Sequence, residues 1–280
     1  MKTKFVMLTV FVLLSLWACK KPSGNIPSAP FTSGADIEKP LVKTIYWPLL
    51  GVTGIFTRNA DSTVKSISYS GVRIPTQLEF SYDRFGLSKA EVSNSLDGKF
   101  LLYDALSGEL STMIKAIKTG TGYRNYAKAT FDNSVSGRLE SLNYYTVNEA
   151  GSILSYTSSY AYNTNGLPEK ITVIDKNNNK RVIAFEGYSD EVVFEPICFI
   201  DFDMGEFFSI YNNSTLALLS KLHRFPGRLK ITDYRGSQVS REKLVETDFT
   251  ISSKKLVKQI IKITGSEFPT PQYSELHYGY

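Results

Sequence analysis

The stretch SYAYNTNGLPEKITV, at residues 159–173, contains the pattern that decides the fold. Two tyrosines at alternate positions precede a quartet that runs from Asn163 to Gly166, and Ile171 and Val173 alternate with polar residues after it. Asn or Asp at the first position and Gly at the fourth are typical of a tight turn, because the first side chain accepts hydrogen bonds from later backbone amides and Gly adopts left-handed conformations. The alternation is typical of half-buried strands, so the stretch predicts a β-hairpin.

The hairpin pattern recurs along the chain, which indicates one unit used several times. Further Asp/Asn-x-x-Gly quartets occur at residues 83–86, 148–151 and 233–236, and looser versions occur at residues 103–110 and 131–139. Tyr and Phe are abundant, at 17 residues each, and aromatic residues favour strands over helices. We therefore predict a mainly all-β fold, a long antiparallel meander of hairpins that is strongly twisted or curled into a partial barrel.

The repeated pattern, aromatic-x-Tyr-Asp/Asn-x-x-Gly followed by an Ile, resembles the YD repeat of Rhs-type and teneurin-type proteins. The resemblance covers residues 65–188 and 228–264. Copies are unevenly spaced and lack the Arg that precedes the aromatic pair in YD arrays, so the resemblance implies hairpins without a closed Rhs shell. It implies no particular function.

The N-terminus has the features of an export signal. Two lysines precede an apolar run at residues 5–16, which has the length of a signal-peptide core and is too short to span a bilayer. The run ends in LWAC, residues 16–19, which resembles the lipobox of bacterial lipoproteins. This resemblance implies that residues 1–18 are a signal peptide and that the Cys19 thiol receives a diacylglycerol. With its hairpins, the chain looks like Bacteroidota lipoproteins that carry degenerate YD-like repeats. An ordinary cleaved secretory leader is the alternative.

The rest of the chain divides into a tether and one domain. Residues 19–43 are rich in Pro, Gly and Ser and predict a flexible, lipid-anchored tether, whereas residues 44–280 predict a single β domain. Residues 203–223 have mixed apolar periodicity, which predicts a short helical insert covering the open face or end of the sheet. The tether begins CKKPSG and lacks the acidic run that many surface-exposed Bacteroidota lipoproteins have after Cys. We therefore expect an outer-membrane anchor, with the periplasmic face favoured over the cell surface.

The charge balance argues against a nucleic-acid partner. Removing Lys2 and Lys4 from 32 basic residues leaves 30 against 27 acidic ones, and this small excess is scattered along the chain. Of the two cysteines, Cys198 is left alone once Cys19 is lipidated, and its apolar neighbours predict a buried thiol. Core burial, rather than disulfides, is therefore expected to stabilise the domain.

An acidic cluster, Asp201, Asp203 and Glu206, is the candidate ligand or metal site. Its Asp-x-Asp-x-Gly pattern occurs in calcium loops, but the further ligands of an EF-hand are absent. The alternative is a solvated strand end with Asp203 as the N-cap of a helix. A glycosidase pair drawn from the same carboxylates and Glu195 would require two of them to face each other across a cleft.

Tyrosines on neighbouring predicted strands form the second candidate site. If Tyr144, Tyr160 and Tyr162 face outward, they make an aromatic platform able to stack on sugar rings or on a partner strand. The alternative is that they form ordinary cross-strand pairs that stabilise the sheet.

The sequence contains no recognisable catalytic constellation. Its two histidines, His223 and His277, and Cys198 match neither a zinc set nor a nucleophile triad, and no phosphate-binding loop occurs. We therefore predict no catalytic residues, no metal and no cofactor. The expected function is a non-catalytic binding or envelope-assembly module, with the membrane as partner through the Cys19 lipid and a glycan or an envelope protein as the second partner. The alternatives are a glycan-binding lipoprotein of a polysaccharide-uptake system, a carrier of lipid or another apolar ligand, and a glycoside-active enzyme.

Overall fold

The computed structural model describes residues 41–71, 77–84, 86–93, 99–106, 109–120, 122–192 and 224–280. In this part of the chain there are sixteen strands: β1 Thr44–Trp47, β2 Val52–Arg58, β3 Val64–Ser70, β4 Gln77–Asp83, β5 Gly86–Ser93, β6 Lys99–Leu106, β7 Glu109–Thr119, β8 Gly122–Asn133, β9 Leu139–Asn148, β10 Gly151–Tyr162, β11 Pro168–Asp175, β12 Lys180–Tyr188, β13 Pro226–Arg235, β14 Gln238–Ser252, β15 Lys255–Gly265 and β16 Gln272–Gly279. Within these same ranges there is no helix of the length and apolar character needed to cross a membrane.

Every strand pairs antiparallel with its neighbours in the chain, which confirms the all-β meander of hairpins. The first strand also pairs with the last: Thr44 lies opposite Gly279 and Tyr46 opposite His277, so the strand order closes into a barrel. The sequence predicted only a partial barrel. Pairing β1 with β16 goes further because it satisfies the backbone groups of the two strands that an open meander leaves as edges. The predicted helical insert, the signal peptide and residues 19–40 of the predicted tether lie outside the described residues. The end of the tether was placed too late, because Val42 is buried in the core and the Lys43 amide donates to the Gly279 carbonyl at 2.7 Å.

On the strands whose side chains the structure describes, alternate residues face the interior of the barrel and form an apolar core. On β11 and β12, for example, Ile171 lies opposite Ile183, and both are buried. The largest fully buried side chains of the described strands lie on β3, β4, β9, β11, β12, β13 and β15: Ile67, Leu78, Leu139, Leu142, Ile171, Ile183, Leu229 and Leu256. The outward face carries cross-strand ion pairs such as Glu246 with Lys262 and Lys258 with Glu275. The barrel therefore has an apolar core, and ion pairs connect strands on its outward face.

The hairpin turns have the chemistry that the sequence predicted. The Asn163 side-chain oxygen accepts hydrogen bonds from the backbone amides of Asn165 and Leu167, each at 3.0 Å. Gly166 has a φ of 76°, in the left-handed region that favours glycine. At the next turn along the chain, Asp175 accepts from the amides of Asn177 and Asn179 in the same way. Each side chain thus stabilises the turn that it begins.

A hydrogen bond from a tyrosine hydroxyl recurs at one end of the barrel. We call this end, which carries the turn at residues 163–167, the tyrosine end. Here the hydroxyl of a tyrosine at the end of one strand donates to a carbonyl at the start of the strand before it. Among the described residues these bonds run from Tyr82 to Val64, Tyr162 to Leu139, Tyr188 to Pro168 and Tyr280 to Leu256. This bond gives a physical role to the tyrosine of the repeated sequence pattern.

Candidate functional site

A cavity of about 580 Å³ opens at the other end of the barrel, which we call the cavity end; it carries the turns at residues 176–179 and 236–237. This volume lies within the range of about 300–1,000 Å³ that small-molecule sites occupy. Its lining is aromatic, apolar and charged: Tyr156, Val173, Asp175, Asn179, Lys180, Arg181, Asp233, Tyr234, Arg235, Ser240 and Arg241.

The inward face of three neighbouring strands changes from apolar to charged at this end. On β12 the inward row runs from the buried Phe185 and Ile183 to Arg181, and on β13 it runs from Leu229 and Ile231 to Asp233. On β14 the row ends in Lys243 and Arg241. Because the pairing places Arg181 opposite Asp233 and Asp233 opposite Arg241, the three charges lie side by side.

Arg181 and Asp233 form a bidentate ion pair in the cavity wall. Arg181 Nε donates to Asp233 Oδ1 at 2.6 Å, and Nη2 donates to Oδ2 at 2.9 Å. The hydrogen bonds from Arg181 hold the pKa of the Asp233 carboxyl below its usual value, and the same bonds raise the pKa of Arg181. Both groups therefore remain charged, with the carboxylate occupied on both oxygens.

Arg241 is held at the rim by a second ion-pair group. Its Nη1 lies 2.9 Å from Glu267 Oε2, and the other Glu267 oxygen lies 2.8 Å from Lys243 Nζ. Lys243 Nζ also lies 5.1 Å from the centroid of the Phe268 ring. The hairpin between β15 and β16, which carries Glu267, thus fixes the orientation of the Arg241 guanidinium beside the cavity.

Two stacked tyrosines form the aromatic wall. Tyr156 on β10 lies opposite Tyr144 on β9, and their rings stack with centroids 4.8 Å apart and an interplanar angle of 10°. Lys115 on β7, two strands from β9, has its Nζ 5.8 Å from the Tyr144 centroid. Since Tyr156 lines the cavity, the stack holds one aromatic ring in position there.

The three tyrosines of the predicted aromatic platform all pack against buried apolar residues. Tyr144 stacks on Tyr156 and contacts one apolar cluster, and Tyr160 and Tyr162 pack against the main core. The Tyr162 hydroxyl donates to the Leu139 carbonyl at 2.7 Å, and burial raises its pKa to about 12. The structure therefore brings Tyr144 together with Tyr156 and packs all three predicted tyrosines against core residues.

The second carboxylate of the cavity belongs to a turn. Asp175 Oδ1 accepts from the amides of Asn177 and Asn179, at 2.8 and 2.9 Å, and Oδ2 accepts from Asn179 Nδ2. The hydrogen bonds from Asn179 lower the pKa of Asp175. Asp175 and Asp233 thus both favour the ionised form.

The remaining predicted site residues, Asp201, Asp203, Glu206 and Cys19, lie outside the described residues. Sequence reasoning did not identify Arg181, Asp233 and Arg241, although a local signal exists for the first two. Arg181 stands two positions before the alternating Ile183 and Phe185, so a charge continues the row that the strand pattern predicts to be buried. Asp233 continues the row of Leu229 and Ile231 in the same way.

No protein-family model matches the chain, and no curated protein matches its sequence. Among solved structures, the chain is similar to a porin-like protein from Bacteroides vulgatus ATCC 8482, with 10% identity and a TM-score of 0.52 over 85% of this chain and 98% of that one. A porin-like protein from Bacteroides uniformis ATCC 8492 gives the same identity and TM-score, over 85% and 97% of the two chains. A Tc holotoxin pore from Photorhabdus luminescens aligns with 7% identity and a TM-score of 0.33, over 82% of this chain and 13% of that one. The first two likenesses show a shared fold.

Proposed function

We propose that this chain is a membrane-anchored, non-catalytic binding module of the bacterial envelope, and that the cavity holds its ligand. The observation that carries the binding function is the cavity itself, where the inward face turns from core residues to Arg181, Asp233 and Arg241 beside Tyr156. A concave site with aromatic and apolar walls and a few convergent polar groups is the usual form of a ligand site. The Arg181 and Arg241 side chains keep 39% and 50% of their surface exposed, so a ligand in the cavity can reach their guanidinium groups.

The state of the two cavity carboxylates supports binding without catalysis. A glycosidase needs one carboxylic acid with a raised pKa to protonate the leaving group. Asp233 and Asp175 instead have lowered pKa values, and their oxygens accept hydrogen bonds from Arg181 and from the turn at residues 176–179. Both carboxylates are thus engaged in structural roles.

The outward face supports a barrel that is held beside a membrane by a lipid on Cys19. Strands that face lipid present apolar side chains there. The outward face of this barrel carries exposed apolar side chains such as Ile55 and Ile174, but it also carries charged groups that are costly to place in lipid. These form the ion pairs Glu186–Arg228, Lys230–Glu242, Glu246–Lys262 and Lys258–Glu275. The shared fold with two Bacteroides proteins described as porin-like is consistent with an envelope protein. The absence of an acidic run after Cys19 favours the periplasmic face of the outer membrane.

A glycan is the ligand that the aromatic wall favours. The flat face of a tyrosine ring stacks on the apolar face of a sugar, and Tyr156 is held against Tyr144 with its ring beside the cavity. A fatty acid or another apolar ligand is less well supported, because four cationic and two anionic side chains line the same space. An envelope protein is the remaining candidate partner.

Titration calorimetry on the full chain in detergent, against neutral and acidic oligosaccharides and a fatty acid, tests this proposal. Replacing Tyr156 by Leu keeps apolar bulk and removes the aromatic face, so saccharide affinity should fall by about 2- to 10-fold. The control is Tyr273→Leu, since Tyr273 is exposed on the outward face of β16. No binding by any saccharide, or equal binding by the Tyr156 variant, would contradict the proposal.

A further inference from the structure

The cavity lining carries an excess of positive charge. Its cations are Lys180, Arg181, Arg235 and Arg241, and its anions are Asp175 and Asp233. Because Asp233 is bound on both oxygens by Arg181, and Asp175 by turn amides, neither carboxylate is available to bind a cation from a ligand. The net positive charge of the lining therefore favours the binding of an anionic ligand.

Arg241 is the cation best placed to receive that anion. Its ion pair with Glu267 uses Nη1, and a guanidinium has five N–H donors in a fixed fork. Glu267 is also bound by Lys243, so its negative charge is shared between two cations. Half of the Arg241 side chain is exposed, so a ligand carboxylate can reach the guanidinium and bind it in the two-bond geometry that arginine favours.

We infer that the ligand is an acidic oligosaccharide, with a sugar ring against Tyr156 and its carboxylate on Arg241. This inference rests on the proposed glycan-binding function and adds the charge of the ligand. The aromatic wall and Val173 provide apolar surface for the ring, while the charged row supplied by β12, β13 and β14 provides the anion site. An anionic sugar is attracted by the excess positive charge of the lining, whereas a neutral sugar is not.

The test compares two matched probes by calorimetry on the full chain in detergent: a galacturonic acid tetrasaccharide and its methyl ester, which has the same rings and no charge. The acid should bind at least about tenfold more tightly than the ester. Arg241→Gln should remove most of this difference, and binding of the acid should weaken as salt is raised. The control, Arg228→Gln, removes an arginine that pairs with Glu186 on the outward face and should leave both affinities unchanged.

The outcomes separate this inference from the proposed function. Equal binding of acid and ester, with both weakened by Tyr156→Leu, would overturn the acidic preference and leave glycan binding intact. Binding of neither probe, nor of any other saccharide, would overturn both. If Arg241→Gln does not fold, Arg235→Gln and the salt series on the unaltered chain carry the test, and an affinity for the acid that salt does not change would overturn the inference.

Discussion

Arg181 and Asp233 lie directly opposite each other on β12 and β13 and share two parallel hydrogen bonds, of 2.6 and 2.9 Å, at the cavity end of the barrel. They are 52 residues apart in sequence. The two strands are joined at the tyrosine end, so this ion pair binds their far ends together. Because both residues line the cavity, the pairing register of β12 and β13 determines the shape of this part of its wall.

Removing one partner of this pair should destabilise the protein. Asp233→Ala leaves the Arg181 guanidinium without its carboxylate, and the free energy of unfolding should fall by about 1–2 kcal/mol. This is below the cost in a fully buried pair, because 39% of the Arg181 side chain is exposed. Urea unfolding measures the change. Glu186→Ala, in the exposed pair between the same two strands, is the control and should cost less than about 0.5 kcal/mol. Equal losses of unfolding free energy in the two variants would mean that the Arg181–Asp233 pair stabilises the protein no more than an exposed pair.

The same pair should contribute to acid sensitivity. The pKa of Asp233 is lower in the folded chain than the ordinary value of 3.8, so its ionised form stabilises the fold. That stability is fully present above the unfolded pKa and is lost as the pH falls through the folded pKa. The difference in unfolding free energy between the unaltered chain and Asp233→Asn should therefore shrink from pH 6 to pH 3, as urea unfolding at each pH would show. A constant difference would mean that Asp233 has the same pKa in both states.

The sequence predicted the local parts of this structure and missed the parts that depend on distant pairing. The turn at Asn163 and the shared face of Ile171 and Val173 follow from nearby residues, and the structure contains both. Closure of the barrel depends on the pairing of β1 with β16, which are the first and last strands in the sequence. No local sequence pattern encodes that contact. The cavity likewise depends on the register between Arg181 and Asp233. Alternation also cannot tell which side of a sheet is inside, which is why Tyr160 was a candidate for an outward platform.

The tyrosine bonds at the opposite end should contribute measurably to stability. Tyr162→Phe keeps the buried ring and removes the hydroxyl that donates to the Leu139 carbonyl, so unfolding free energy should fall by about 1 kcal/mol. Tyr273→Phe is the matched control, since its ring is 56% exposed on the outward face. Thermal and urea unfolding compare the two variants. If Tyr162→Phe leaves the unfolding free energy unchanged, a water molecule replaces the tyrosine hydroxyl as the donor to the Leu139 carbonyl.

High pH should weaken the fold through the same residue. Burial raises the pKa of Tyr162 from 10.0 to about 12, so its protonated form is favoured in the folded chain. The stability that this adds is complete below the unfolded pKa and disappears as the pH rises towards the folded pKa. The stability difference between the unaltered chain and Tyr162→Phe should accordingly decrease between pH 9 and pH 12. Tyr273→Phe should show no such trend, and a trend of equal size there would argue against burial as the cause.

Gly166 offers a test of how tightly the repeated turn is built. Its φ of 76° is strained for any residue with a Cβ, and an added Cβ would lie 2.5 Å from Arg138 Nη2. Arg138 must then leave the Tyr162 ring, whose centroid lies 5.6 Å from its Cζ. We expect Gly166→Ala to lower the unfolding free energy by about 1–2 kcal/mol, with backbone strain as the larger part. Gly122→Ala is the control, because a Cβ there meets only the Thr119 carbonyl oxygen, at 4.0 Å. A Gly166→Asn variant should recover part of the loss, since Asn tolerates left-handed conformations; failure to do so would assign the cost to Arg138 instead.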